Sequence, residues 1–336
     1  MQPGGLPMPK VVIGMGRLLR AHQLAEAEGC AIGRAAENSD DKFHAARGAM
    51  RVNLYGMQPS PLEPAPADAK AHWLAAQLDQ ILRDRLVLVS MGIWVLVIVA
   101  TPIALWTMGQ PGLLAALQAG VLTQVVTVLL VLVRAGLWRQ ALLAGVAVPL
   151  LGWAVEVVGQ ASGFPFGTYH YTPLLQPQLA GVPVLIPLAW LMMMPPAWAM
   201  AVVIVGAEPG WRARLRRAAV AALAFTAWDL FLDPQMVAWN AWVWAVPGAY
   251  FGIPLLNFAG WLLVAFCVSL LLAPGWLPLA PLLTIYAITC ALQTIGQLLF
   301  WQLPGPGVAG LAGMGGMLAW AYARRAAVVV TETTAH

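Results

Sequence analysis

Along the chain, long apolar runs alternate with short polar or aromatic gaps, and the alternation begins only near Leu86. A bilayer core is crossed by about 20 apolar residues in helical conformation. The stretches that satisfy this are roughly 86–106, 112–133, 141–159, 184–206, 218–238, 254–273, 277–300 and 306–323. The pattern predicts an all-α polytopic membrane protein of about eight transmembrane helices. Residues 1–80 read differently, with the run from Pro59 to Pro66 resembling a flexible spacer. Three parts are therefore expected: a poorly ordered tail over 1–80, a helical membrane domain over 81–325, and a C-terminal tail over 326–336. Lys70 to Arg85 fits a short amphipathic helix lying on the membrane surface. No secretory apolar region precedes Leu86, and Met50, Met57 or Met91 could each be the true start.

The basic residues give the helices a direction. Arg83 and Arg85 precede the first span, Arg134 and Arg139 separate the second and third, Arg212, Arg214, Arg216 and Arg217 separate the fourth and fifth, and Arg324 and Arg325 follow the eighth. The alternate gaps contain no Lys or Arg. Loops rich in Lys and Arg stay cytoplasmic, so both termini are expected in the cytoplasm, with the chain multi-pass in the cell (inner) membrane.

Composition agrees with the pattern. Hydrophobic residues make up 60% of the 336 and charged residues 10%, against about 25% charged in soluble domains. The net charge of +4 comes from arginines at helix ends, and the absence of a basic face speaks against a nucleic-acid partner. Cys30, Cys267 and Cys290 form no framework or metal motif. The five His are scattered, which excludes the His clusters that a membrane di-iron site needs. Val11-Val12-Ile13-Gly14-Met15-Gly16 resembles the start of a dinucleotide fingerprint, but Leu19 stands where the third Gly belongs. No metal site and no cofactor are expected.

The candidate chemistry lies opposite the arginines. From Leu86 to Ala323 the only acids are Glu156, Glu208, Asp229 and Asp233. At about 1.5 Å rise per residue, Glu156 and Asp233 sit at similar depth in the outer half of spans three and five, with Asp229 about 6 Å deeper. Asp229 and Asp233 are four residues apart and share a helix face, and Pro234 is expected to loosen the helix just after them. Acids within spans are rare and mark function. Neighbouring carboxyls in an apolar site cannot all ionise, so at least one is expected to keep its proton and serve as a donor. Two aromatic loops adjoin them, one with Tyr169, His170 and Tyr171, the other with Trp239, Trp242 and Trp244. Gly181-Val182-Pro183 followed by Trp190 matches Gly252-Ile253-Pro254 followed by Trp261 at equal spacing. This suggests a parallel internal repeat of spans 3-4 and 5-6. Asn257, early in span six, is a candidate partner for an acid or a water.

The segments from Glu156 to Trp190 (E-V-V-G-Q-A-S-G-F-P-F-G-T-Y-H-Y-T, then G-V-P-V-L-I-P-L-A-W) and from Trp228 to Trp261 (W-D-L-F-L-D-P-Q-M-V, then G-A-Y-F-G-I-P-L-L-N-F-A-G-W) resemble the carotenoid-biosynthesis integral membrane family. Its best-known members are carotenoid 1′,2′-hydratases of the CruF type. The resemblance covers spans three to six, the outer spans only by hydropathy, and the tail not at all. It implies that water adds across the terminal isopropylidene double bond of an acyclic-ended carotenoid, such as γ-carotene or a bacterioruberin precursor, leaving a tertiary alcohol. The chain would then be a hydro-lyase with carotenoid, water and lipid bilayer as partners, and other carotenoid-biosynthesis enzymes beside it. In the corresponding roles, Asp229 or Asp233 donates the proton, and Glu156 stabilises the cation or accepts the proton from water. Tyr169, His170, Tyr171 and Asn257 position water, and Trp190, Trp228 and Trp261 line the pocket. The reading from another class is a transporter or proton-coupled carrier, since buried acids and repeats occur there too. The scarcity of polar residues in spans one, two and eight speaks against it.

Overall fold

The computed structural model describes Leu82 and residues 84–334, with side chains to Arg324. All of these fall in the second of two compact units, Met1–Ala65 and Pro66–His336. The expected tail over 1–80, the starts at Met50 and Met57, and the surface helix up to residue 81 lie outside the described residues. The chain is mostly helical. Among the described residues the helices are α1 (Arg85–Arg134), α2 (Trp138–Ser162), α3 (Leu185–Val205), α4 (Trp211–Ala238), α5 (Leu255–Leu272), α6 (Leu279–Ile295) and α7 (Pro304–Thr334), with a π-helical turn at Gly296–Phe300 following α6. α7 runs on to Thr334, and Ala326 to Val330 bring neither Gly nor Pro to stop it. Among the described residues, five helices are long and apolar enough to cross a membrane: α1, α2, α3, α5, and α6 with its π turn. α4 instead carries Asp229, Asp233 and the arginine cluster.

α1 is two helices rather than one. Gly109 has φ 64° and ψ −151°, a conformation open essentially to glycine alone. A straight helix of 50 residues would be about 75 Å long, yet the Arg134 Nε donates to Asp84 Oδ2 across 2.6 Å. Ile98 likewise packs against Gly120. The two arms therefore double back at Gly109, which separates the stretches read from sequence as 86–106 and 112–133.

α3 is the axis of the bundle. It is apolar on every side, and its apolar window is 89% buried, as expected for a helix surrounded by others. α1, α2, α4, α6 and α7 all pack on it. The outward faces of the surrounding helices expose Leu142, Leu150, Leu263 and Leu271, a surface suited to lipid and not to water. This is a mostly helical membrane protein.

All arginines with described side chains gather at one end. Arg214 donates to the carbonyls of Leu270 and Leu271, Arg217 to those of Gly206 and Glu208, and Arg324 to that of Ile204. α2 starts beside Arg139 and α4 beside Arg212, and both run to the far end, where their following loops meet. There Tyr169–Tyr171 (β1) pairs antiparallel with Trp242–Trp244 (β4), Tyr169 opposite Trp244 and Tyr171 opposite Trp242. A second small ribbon joins Gln178–Leu179 (β2) to Val182–Pro183 (β3). Gly181 and Gly252, which open the two similar segments, both have positive φ (79° and 90°). The tryptophans nine residues further on, Trp190 and Trp261, stack at 4.9 Å.

α4 does not end at Pro234. A proline inside a helix leaves the carbonyl four residues earlier without its donor, here Leu230. The Tyr250 hydroxyl donates to that carbonyl at 2.9 Å, and the helix runs on to Ala238, the end read from sequence for this span.

Candidate active site

Glu156, Asp229, Asp233 and Asn257 lie in the apolar interior near the capped end, each no more than 2% exposed. Glu156 is six residues from the end of α2, and Asp233 five from the end of α4, about 8–9 Å below the cap. They are held in different ways. Glu156 Oε2 accepts from the Tyr169 hydroxyl at 2.5 Å and from the Tyr171 hydroxyl at 2.8 Å. Strand β1 makes this possible, because alternate residues share a face, and Tyr169 and Tyr171 both reach inward. Burial first, and then the charge of Glu156, push both phenols well above their ordinary value. They remain protonated donors at any working pH.

The aspartates share one donor. The Asn257 amide nitrogen donates to Asp229 Oδ2 at 3.0 Å and also to Asp233 Oδ2. Asp229 Oδ1 has no hydrogen-bond partner and is wholly enclosed. Asn257 can serve both because Asp229 and Asp233 are one turn apart on α4 and α5 packs along that face.

A cavity of about 400 Å³ opens on these groups, within the range usual for small-molecule sites. Glu156, Asp233, Asn257, Tyr169 and Tyr171 reach its wall, with Trp228 and Trp261. Asp229 and Trp190 lie behind that wall. Asp229 touches the cavity only through Asn257, and Trp190 backs the Trp261 ring. His170 stands apart: the strand alternation that turns the two tyrosines inward turns it to the exposed face. It is not among the cavity residues, so a place beside the water is not what the geometry gives it. Among the described residues, no three His, Cys, Asp or Glu side chains are grouped to hold a metal ion.

Further wall residues come from the aromatic loop read from sequence and from positions that were not singled out there. Trp242 and Trp244 face the tyrosines across the ribbon, with ring centroids 5.7 Å (Trp242–Tyr171) and 5.1 Å (Trp244–Tyr169) apart. Their spacing of two was the available signal. Phe166 is clamped between Gly159 and Gly260, where a Cβ would fall 2.8 Å from its ring on either side. Trp94 and Gln124 on α1, and Trp301 after α6, also line the cavity; nothing local in the sequence marks them.

A buried acid held by two phenols, and a second held by an amide, face one aromatic cavity in which little else is charged. Residues 116–305, more than half of the chain, match the family model described as carotenoid biosynthesis protein. The chain belongs to that family. The matched region contains both carboxyl sites and nearly the whole cavity. A curated relative within carotenoid metabolism is the bisanhydrobacterioruberin hydratase of Haloarcula japonica, 32% identical over 126 residues. That alignment takes in 37% of this chain and 42% of the relative, so the chain spans less than half the length of the curated relative it matches. No solved structure matches it.

Proposed function

We propose that this carotenoid biosynthesis family member is a carotenoid 1′,2′-hydratase that adds water to the terminal isopropylidene double bond of an acyclic-ended carotenoid. The observation that carries the reading is the pair of separately held carboxyls, Glu156 and Asp233, facing one cavity with aromatic walls. The partial likeness to a hydratase supports it.

The steps follow from where the groups sit. The Asp229–Asp233 pair, joined by Asn257 in an apolar wall, holds a proton, since two adjacent carboxylates there would repel each other. Asp233, the member that reaches the cavity, delivers this proton to the CH carbon of the double bond. The C=C π electrons form the new C–H bond, and the positive charge is left on the dimethyl carbon. Ring faces of Trp228 and Trp261 and the Glu156 carboxylate stabilise that tertiary cation. A water attacks it, the C–O bond forms, and the surplus proton passes to Glu156. Transfer back to Asp233 through water resets the site. Alkene and water sum to the alcohol with no change of oxidation state overall. Asp229 and Asn257 position the donor, and Tyr169 and Tyr171 fix Glu156.

We place eight crossings in the cell membrane, with the arginine end and both termini cytoplasmic and spans 3-4 and 5-6 related as a parallel repeat. The positive-inside rule, the Gly109 reversal and the clustering of Arg134, Arg214, Arg217 and Arg324 support the first; the stacked Trp190 and Trp261 support the second.

Expression in a bacterial host that accumulates γ-carotene or lycopene tests the function. Pigment heavier by one water should appear with the wild-type chain and vanish with Asp233→Asn, while the membrane level of the protein stays the same. Unchanged pigment with the wild type, or full activity in Asp233→Asn, would contradict it. Solute movement in liposomes in place of hydration would favour a carrier.

A further inference from the structure

The cavity is not sealed toward the bilayer. Three residues that line it are also exposed on the apolar outside of the bundle: Val99 (51%) on the first arm of α1, Ile295 (47%) at the end of α6, and Phe300 (39%) at the end of the π turn. They mark one opening between two elements. Nearer the capped end, Trp106 meets Phe300 with ring centroids 5.8 Å apart, and Trp239 meets Trp301 at 5.1 Å. These two aromatic pairs stand on the capped-end side of the opening.

The far wall of this opening is a π-helical turn. Such turns insert a residue into a helix and occur often at functional sites. Here the turn is pinned to α4, because Gln297 donates to the Phe231 carbonyl at 2.7 Å. That carbonyl lies two residues from Asp233. The wall of the opening and the acid are thus set by one stretch of backbone.

A cavity of about 400 Å³ lies toward the small end of the roughly 300–1,000 Å³ range of ligand sites. It holds the reacting end of a long polyene, but not the whole molecule. The rest of the chain must leave the cavity, and the exit lined by apolar, lipid-facing side chains is the one that costs it no contact with water.

Resting on the hydratase reading above, we propose that the opening between the first arm of α1 and the end of α6 is a lateral port for an isoprenoid polyene. The terminal double bond passes between Val99 and Ile295 to reach Glu156 and Asp233, and the unreacted remainder of the chain stays in the port and the bilayer.

The test uses the purified full chain in lipid nanodiscs with two substrates, lycopene and a monoterpene-length alkene with the same isopropylidene end. Val99→Trp and Ile295→Trp narrow the port at lipid-exposed positions, and Leu150→Trp on the outside of α2 is the control. The port predicts that kcat/KM for lycopene falls about tenfold or more in both variants, mainly through KM. The short alkene should be hydrated within about twofold of wild type. Should either variant misfold by its melting curve, Val99→Cys modified with a bulky maleimide after folding gives the same reading; treated wild type controls for the exposed Cys267. Equal loss on both substrates, or no loss on either, overturns the port. So does selective loss of lycopene activity in Leu114→Trp, which fills the neighbouring cavity by the α1 reversal. If wild type hydrates neither substrate, it is the hydratase reading that fails.

Discussion

Glu156 and Asp233 are both buried carboxyls facing one cavity, but their partners suit them to different work. Glu156 accepts hydrogen bonds from two phenols, Tyr169 and Tyr171, which suits it to the proposed role beside the cation. Asp233 shares the Asn257 amide with Asp229, which suits it to the proposed role of donor. Glu156→Gln and Asp233→Asn should each lower kcat by about 10²–10⁴, the usual loss when a general acid or base is removed. Asp229→Asn keeps an acceptor for Asn257 and stays out of the cavity, so its loss should be about tenfold or less. Pigment conversion rates for the three variants at matched protein levels check this ordering. Equal losses for Asp229→Asn and Asp233→Asn would remove the distinction. The sequence marked all three acids, because carboxyls are conspicuous among so few charges. It could not rank the aspartates, because their difference is which oxygen faces empty space. His170 shows the converse: its company between two tyrosines suggested the site, and the period of a short strand turned it away.

Among the elements, α4 depends on a group that its own sequence does not supply. Pro234 strands the Leu230 carbonyl, and the Tyr250 hydroxyl from the following loop satisfies it. Tyr250→Phe should cost about 1–3 kcal/mol, the usual cost of an unsatisfied buried carbonyl. It should also lower activity, since the freed carbonyl lies one turn from Asp233. The melting temperature in detergent and the hydration rate should fall together; an unchanged melting temperature would show the carbonyl satisfied in another way. Gly109 carries a different dependence. Gly109→Ala forces a side chain into a backbone region used almost only by glycine, and should cost about 1–3 kcal/mol. Clear space around its Cβ means that any loss is conformational and not steric. Helix positions were legible from apolar runs of the right length, and the gap at 106–112 already separated the two arms of α1. The span read as 218–238 already carried α4 past Pro234; what was not legible is the partner of the freed Leu230 carbonyl, because that contact comes from twenty residues away.

At the scale of the whole molecule, a polar asymmetry organises everything else. Arginines cap one end by donating to the last carbonyls of α3 and α5, and the aromatic ribbon with the acids closes the other. Thiol-specific labelling of intact cells, with cysteines placed at Gly210 and Val246 in a chain lacking Cys30, Cys267 and Cys290, should modify position 246 from outside and position 210 only after lysis. The reverse pattern would invert the proposed orientation. Arginine placement along the sequence made this asymmetry readable before any fold was known, because it rests on charge alone. The shape of the cavity was not readable in that way: its walls come from α1 to α6 at once, and residues such as Trp94 and Gln124 enter it only through tertiary packing. The central claim is that water is added proton-first at this cavity, and isotopes test it most directly. With purified protein in nanodiscs and lycopene as substrate, one reaction is run in H₂¹⁸O and a second in D₂O, both without oxygen or added cofactor. The account predicts one ¹⁸O in the tertiary hydroxyl from the first, one deuterium on the adjacent carbon from the second, and neither product with Asp233→Asn. A product whose oxygen does not come from water, or whose adjacent carbon carries no deuterium, would contradict it.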